Sequence, residues 1–186
     1  HDPKDKRIQI TFNGLRLATE LRPRCILFEN VPPFAKHNEG KTLRKAVKIL
    51  TDAGYEVTHH DAVDSTSFVP QRRRRFILIA FRKGEGVLPD LQGAVARLAE
   101  KPIVTLRDTF PHWPKDACYF HQNRGTGKKC IYSLDDVSPP LRKNCGTITR
   151  TYRATPGNGD AGKFEDCRTP TIRVLGAIAG WPPDAY

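Results

Sequence analysis

The sequence predicts an α/β protein with a smaller, loop-rich lobe, and three observations lead there. Helical and strand-like periodicities alternate through residues 1–84, the pattern of an α/β core. The run "RFILIAF", residues 75–81, is apolar almost without interruption, as strands are in a parallel sheet covered on both faces. From Glu85 onward, Pro89, Pro102, Pro111, Pro114, Pro139 and Pro140 cut the chain into short pieces, and prolines end helices and central strands.

The elements follow in order. Ile8, Phe12, Leu15 and Ala18 recur at helical spacing and Leu17 and Leu21 widen that stripe, so an amphipathic helix is expected over residues 6–22. "RCILFENV", residues 24–31, reads as a strand that stops at Pro32 and Pro33. Leu43, Ala46, Val47, Leu50 and Ala53 mark a second helix, with Gly54 where a C-terminal cap belongs. "YEVTHHDAV", residues 55–63, and then "RFILIAF" complete the pattern as strands. Beyond Glu85 only "LQGAVARLAE", residues 91–100, and "TIRVLGAIAG", residues 171–180, have a helical look. The expected organisation is a core over 1–84, a lobe over 85–146 and a return to the core over 147–186.

Charge narrows the function. The 31 Lys and Arg against 20 Asp and Glu give a net +11, which makes a polyanion the first partner to consider. The excess is concentrated in residues 1–84, where four arginines, Arg72 to Arg75, stand at the mouth of the apolar strand. Side chains alternate across a strand, so Arg73 and Arg75 share one direction and Arg72 and Arg74 the other. Cysteines at 25, 118, 130, 145 and 167 form no Cys-x-x-Cys pair and no zinc-like spacing, so neither a metal knuckle nor a disulfide framework is expected and a reducing, cytoplasmic setting fits. No apolar run approaches a membrane span, and a soluble protein without a membrane partner is expected.

Ligands of a parallel α/β sheet gather at the carboxyl ends of its strands, and Glu29 of "FENV" stands at such an end. Three apolar residues precede it, so partial burial is expected, of the kind that favours the protonated carboxyl and suits a proton donor. A loop-capping glutamate is the plainer alternative. Convergence with Gln71, Arg73 and Arg75 on one small polar ligand favours the chemical role.

"FENV" followed by "VPQRRRRF" resembles the DNA (cytosine-5)-methyltransferase family, with its Glu-Asn-Val turn and Gln-x-Arg-x-Arg strand. The likeness extends in order to "DPKDKRIQITFNGLRLATELRPRCILFENV", to "IYSLDDVSPPLRKNCGTITRTY" at the junction of lobe and core, and to "RTPTIRVLGAIAGWPPDAY". The resemblance implies a partial Rossmann-like methyltransferase core with a small target-recognition lobe, acting on a cytosine flipped out of duplex DNA with S-adenosylmethionine as methyl donor. It implies that Glu29 protonates N3 while a thiolate adds to C6. Arg75 would bond the cytosine O2, Arg73 would support the loop that carries the nucleophile, and Gln71 would fix the strand end. Arg72 and Arg74, pointing the other way, would meet phosphate or acidic partners or be solvated.

The lobe segment "YFHQNRGTGKKCIY" mixes aromatics, amides and cations. Arg124 or Lys128 would read guanine and Gln122 or Asn123 adenine, the alternative being an ordinary basic loop. Thr147, Thr149 and Arg150 resemble the family's backbone-contacting segment. Two parts of the pattern are missing. There is no Pro-Cys dipeptide, Cys25 being expected in the core, and no glycine-rich cofactor turn, "FNGLR" falling inside a helix. Val174 also replaces a family glutamate. The chain is thus expected to be a fragment or subunit of a prokaryotic restriction-modification methyltransferase, inactive alone and completed by an N-terminal portion. The alternatives are a non-catalytic DNA-binding relative and a tRNA-modifying enzyme.

Overall fold

The computed structural model describes residues 6–111, 118–122, 129–137, 147–149, 151–153, 163–165 and 177–180. The chain divides into two compact units, His1–Val63 with Arg74–Glu100, and Asp64–Arg73 with Lys101–Tyr186.

In the first unit, helix α1 (Lys6–Glu20) leads to β1 (Cys25–Asn30), the short α2 (Pro33–Lys36), α3 (Lys41–Asp52), β2 (Tyr55–Asp64), β3 (Arg74–Arg82) and α4 (Leu91–Ala99). The three strands form one sheet in the order β1-β3-β2. Its core joins Phe12 and Leu15 of α1, Phe34 of α2, Ala46 and Leu50 of α3, and Ile26, Tyr55, Phe76, Leu78 and Ala80 of the sheet. Gly54, at φ +86°, turns the chain out of α3, in a conformation that costs glycine nothing. The Tyr55 hydroxyl then donates to the Pro23 carbonyl at 2.7 Å, tying the start of β2 to the approach to β1.

Three expectations are corrected here. β1 and β3 pair antiparallel, Cys25 opposite Phe81 through Asn30 opposite Phe76, where the apolar run of β3 had suggested a parallel sheet. That run is closed on one face only: Phe76, Leu78 and Ala80 are fully buried, while Ile77, Ile79 and Phe81 are half-buried. Leu17 and Leu21 do not widen the buried stripe of α1; they are 56% and 73% exposed, because at 100° per residue they fall opposite Phe12 and Leu15. Cys25 is exposed rather than in the core. Strand alternation puts it on the outward side with Leu27 and Glu29, while Ile26 and Phe28 turn inward.

In the second unit, α5 (Leu106–Thr109) is started by a reciprocal cap, with Thr105 accepting from the Asp108 amide and Asp108 accepting from the Thr105 amide. These bonds from Thr105 hold the Asp108 carboxyl below its ordinary range. Because the folded value is the lower one, the contribution of this cap is present above the ordinary carboxylate range and is lost as pH falls below that range through the folded value. Strands β4 (Cys118–Gln122), β5 (Lys129–Ser133) and β6 (Thr147–Thr149) form an antiparallel sheet in the order β5-β4-β6, and β7 (Thr151–Arg153) pairs with β8 (Lys163–Glu165). Of the helix expected over 171–180, the described part is a turn at 177–179 in which Ile178 is fully buried. Residue 174 lies outside the described residues.

Candidate active site

The end of β1 is built to hold one carboxylate in place. Asn30 Oδ1 accepts the Val31 amide at 2.8 Å, bending the chain as it leaves the strand. Pro32 and Pro33 then begin α2, where their fixed φ suits a first helical turn. Phe34 anchors α2 beneath the strand, its ring centroid 5.2 Å from Phe28 and 5.1 Å from Phe76.

The antiparallel register decides what Glu29 meets. Glu29 stands opposite Ile77, so Arg75, two residues earlier on β3, is its diagonal neighbour on the same face. The Arg75 Nε donates to Glu29 Oε1, and a second Arg75 nitrogen donates to the Arg74 carbonyl at 2.8 Å. A parallel pairing would have placed the start of β3 a strand's length away from the end of β1. The burial expected for Glu29 is overturned: its side chain is 51% exposed and that of Arg75 24%. The reason is position, since β1 is an edge strand and Glu29 lies on its outward face.

The segment before β3 belongs to the second unit. Gln71 is 3% exposed, while Arg72, Arg73 and Arg74 are exposed. Ser65 organises this turn. Its hydroxyl donates to the Gln71 carbonyl at 2.6 Å and accepts the Arg73 amide at 3.2 Å, and its own amide donates to the Arg73 carbonyl at 3.2 Å. Sequence reasoning passed over Ser65, although "DSTSF" is a run of turn-forming residues. Ser65→Ala removes both side-chain bonds. We expect a loss of about 1–2 kcal/mol in stability and faster hydrogen exchange at the Arg73 amide, read by chemical denaturation and exchange mass spectrometry.

A cleft of about 560 Å³ opens beside the Glu-Asn-Val turn, lined by Pro32, Pro33, Lys36, His37, Asp61 and Ala62. His37 Nδ1 lies 2.6 Å from the hydroxyl of Thr42, a buried residue, which fixes the ring at the cleft wall. None of Lys36, His37 or Asp61 was singled out from the sequence, because Asp61 is far along the chain from the Lys36-His37 pair and only the fold brings them to one cleft. His60 Nδ1 accepts the Ala62 amide at 3.2 Å, and His59 Nδ1 is 3.3 Å from Asp61 Oδ1. Among the described residues no group of three or more His, Cys, Asp or Glu is placed to hold a metal ion, and no helix is long and apolar enough to cross a membrane.

Thr147 and Thr149 belong to β6, in register with Phe120 and Cys118 of β4. Arg124, Lys128, Asn123 and Arg150 lie outside the described residues.

Residues 1–173 match the family C-5 cytosine-specific DNA methylase. The Type II methyltransferase M.MspI of Moraxella sp is 38% identical over 183 residues, a stretch covering 93% of this chain and 41% of that protein. The Type II methyltransferase M.HgiDI of Herpetosiphon aurantiacus is 27% identical over 178 residues, covering 96% of this chain and 55% of that one. Among solved structures, a putative DNA modification methyltransferase encoded within an E. coli prophage aligns at 24% identity with a TM-score of 0.44, covering 64% of this chain and 34% of that chain. The chain thus spans about half the length of these curated relatives. With the family match running over nearly its whole length, the chain belongs to the C-5 cytosine-specific DNA methylase family.

Proposed function

We propose that this chain supplies the acid-bearing and DNA-recognising portion of a restriction-modification DNA (cytosine-5)-methyltransferase, and that the remainder of the enzyme comes from further polypeptide. The observation that carries the reading is the pairing of Glu29 with Arg75 at adjoining ends of two strands. An ion pair this exposed contributes only about 0–1 kcal/mol to stability, so its value lies in aiming the carboxyl.

The chemistry assigned to it is specific. C5 of cytosine is a poor nucleophile until a thiolate adds to C6. As that addition pushes electrons toward N3, Glu29 delivers a proton there, leaving C5 enamine-like and ready to take a methyl group. Arg75 donates to the O2 of the ring as well as holding the carboxylate, so acid and base edge stay in register. The cytosine is extruded from the duplex, since neither N3 nor C6 is accessible to these groups inside the stack. Arg73 supports the loop bearing the nucleophile. Gln71, being buried, acts on the site by fixing the turn that presents the arginines.

The methyl donor is S-adenosylmethionine, and the described residues do not fit a site for it. Gly14, the glycine of "FNGLR", lies in the middle of α1, so it provides no glycine-rich turn, and no step is assigned to this chain at the donor. The nucleophile, absent here as a Pro-Cys pair, also comes from the further polypeptide. Residues 85–146 form the target-recognition lobe, with Arg124 and Lys128 reading bases and Thr147, Thr149 and Arg150 contacting the backbone.

The test has two arms. The chain alone should bind duplex DNA with an affinity that falls linearly in log–log form with salt, at a slope of about −0.9 per phosphate neutralised; flat salt dependence rejects the nucleic-acid partner. Mixed with a cofactor-binding portion of a relative, it should transfer labelled methyl groups to duplex DNA in preference to tRNA. Binding without any transfer would favour the non-catalytic reading.

A further inference from the structure

Helix α1 is apolar on two opposite sides, and a surface helix of a finished fold needs only one. Its inner side is spent on the core through Phe12 and Leu15, 8% and 3% exposed. Its outer side carries Ile10 and Leu17, 70% and 56% exposed, and the line continues in Leu21, 73% exposed, just past the helix end, where its amide donates to the Leu17 carbonyl at 3.1 Å. Gly14 lies on the same line, and a Cβ placed there would meet nothing within 4 Å. Positions 10, 14, 17 and 21 follow one another at spacings of four, three and four, which is the seam that a second helix packs into. The glycine lets the partner's backbone approach closely at the centre of that seam.

Resting on the reading above, we propose that the outer face of α1 is the docking surface for the polypeptide that completes the methyltransferase core, and that it receives a helix of that polypeptide. The relatives supply the argument for this occupant. This chain covers 55% of one and 41% of the other, so in each of them about as much polypeptide again accompanies the region matched here. A second copy of this chain fits less well, because two bodies each carrying +11 repel one another.

The experiment uses the whole 186-residue chain and, as probe, the portion of M.MspI that this chain does not span. Light scattering after size exclusion should show a one-to-one complex, and hydrogen exchange should report protection along α1 on mixing. The double variant Leu17→Glu/Leu21→Glu should weaken the complex by about 100-fold or more. Both residues are exposed, so its circular dichroism should match the parent, and Gln9→Glu on a lateral face should leave binding unchanged. The proposal is overturned if no complex forms, if the double variant binds as well as the parent, or if the chain pairs with itself through this face. Duplex DNA binding, measured on the same samples, separates the two readings. Retained DNA binding with no complex sinks the docking surface alone, whereas absent DNA binding sinks the function on which it rests.

Discussion

Glu29→Gln is expected to abolish methyl transfer by the completed enzyme while leaving its grip on DNA intact. The substitution keeps the shape of the side chain and a hydrogen-bond acceptor facing the Arg75 guanidinium, and it removes the proton that the carboxyl would exchange with N3. Loss of a general acid costs about 10²- to 10⁴-fold in rate, and all of it should fall on the chemical step, because an amide binds a flipped base about as well as a carboxyl does. Single-turnover transfer of labelled methyl groups measures the rate, and a DNA titration at fixed salt measures binding. Transfer within a few-fold of the parent would remove Glu29 from the mechanism. Arg75→Lys makes a useful companion, since an ammonium keeps the charge but cannot span two acceptors with a rigid fork. It should slow transfer even though the ion pair is electrically preserved.

Phe76→Ala is expected to cost about 3–5 kcal/mol, enough to unfold a marginal domain at moderate temperature. Phe76 is completely buried, and its ring meets three others: Phe34 at 5.1 Å, Phe28 at 6.2 Å and His59 at 5.7 Å. These hold together α2, β1 and β2, with Phe76 itself on β3. Truncation leaves a hole that cannot close without moving the sheet or α2, and α2 follows directly from the Glu-Asn-Val turn. Phe76 also stands opposite Asn30 and next to Arg75, so the damage reaches the candidate site as well as the core. Urea denaturation monitored by circular dichroism measures the effect, and Phe76→Leu, which keeps most of the volume, should recover the greater part of it. A midpoint unchanged by Phe76→Ala would mean that the ring cluster does not bear on the stability of the sheet.

Local chemistry made the elements legible before any coordinates. The 3.6-residue recurrence of Phe12 and Leu15, the proline pair at 32 and 33, and Gly54 after Leu50 each act within a few residues of themselves, and α1, β1, α3, β2, β3 and α4 lie where those signals put them. The motifs "FENV" and "QRRRRF" likewise carried the family assignment, which the match over residues 1–173 bears out. Strand direction was another matter. Whether β3 runs with or against β1 depends on how the chain returns to the sheet through β2, and an apolar run looks the same read either way. The error was consequential, since only the antiparallel register sets Arg75 diagonal to Glu29.

The sequence by itself therefore determined which stretches are helix and strand, that the chain carries a strong positive charge, and which family it belongs to. These follow from periodicity, charge and residue type, all of which act locally or sum over the chain. Only the tertiary structure decided that Glu29 stands half in solvent on an edge strand, that Ser65 rather than an arginine organises the turn before β3, and that one face of α1 is left open. Each of those depends on which surfaces the packing covers, and coverage is a property of the assembled layers that no single segment contains.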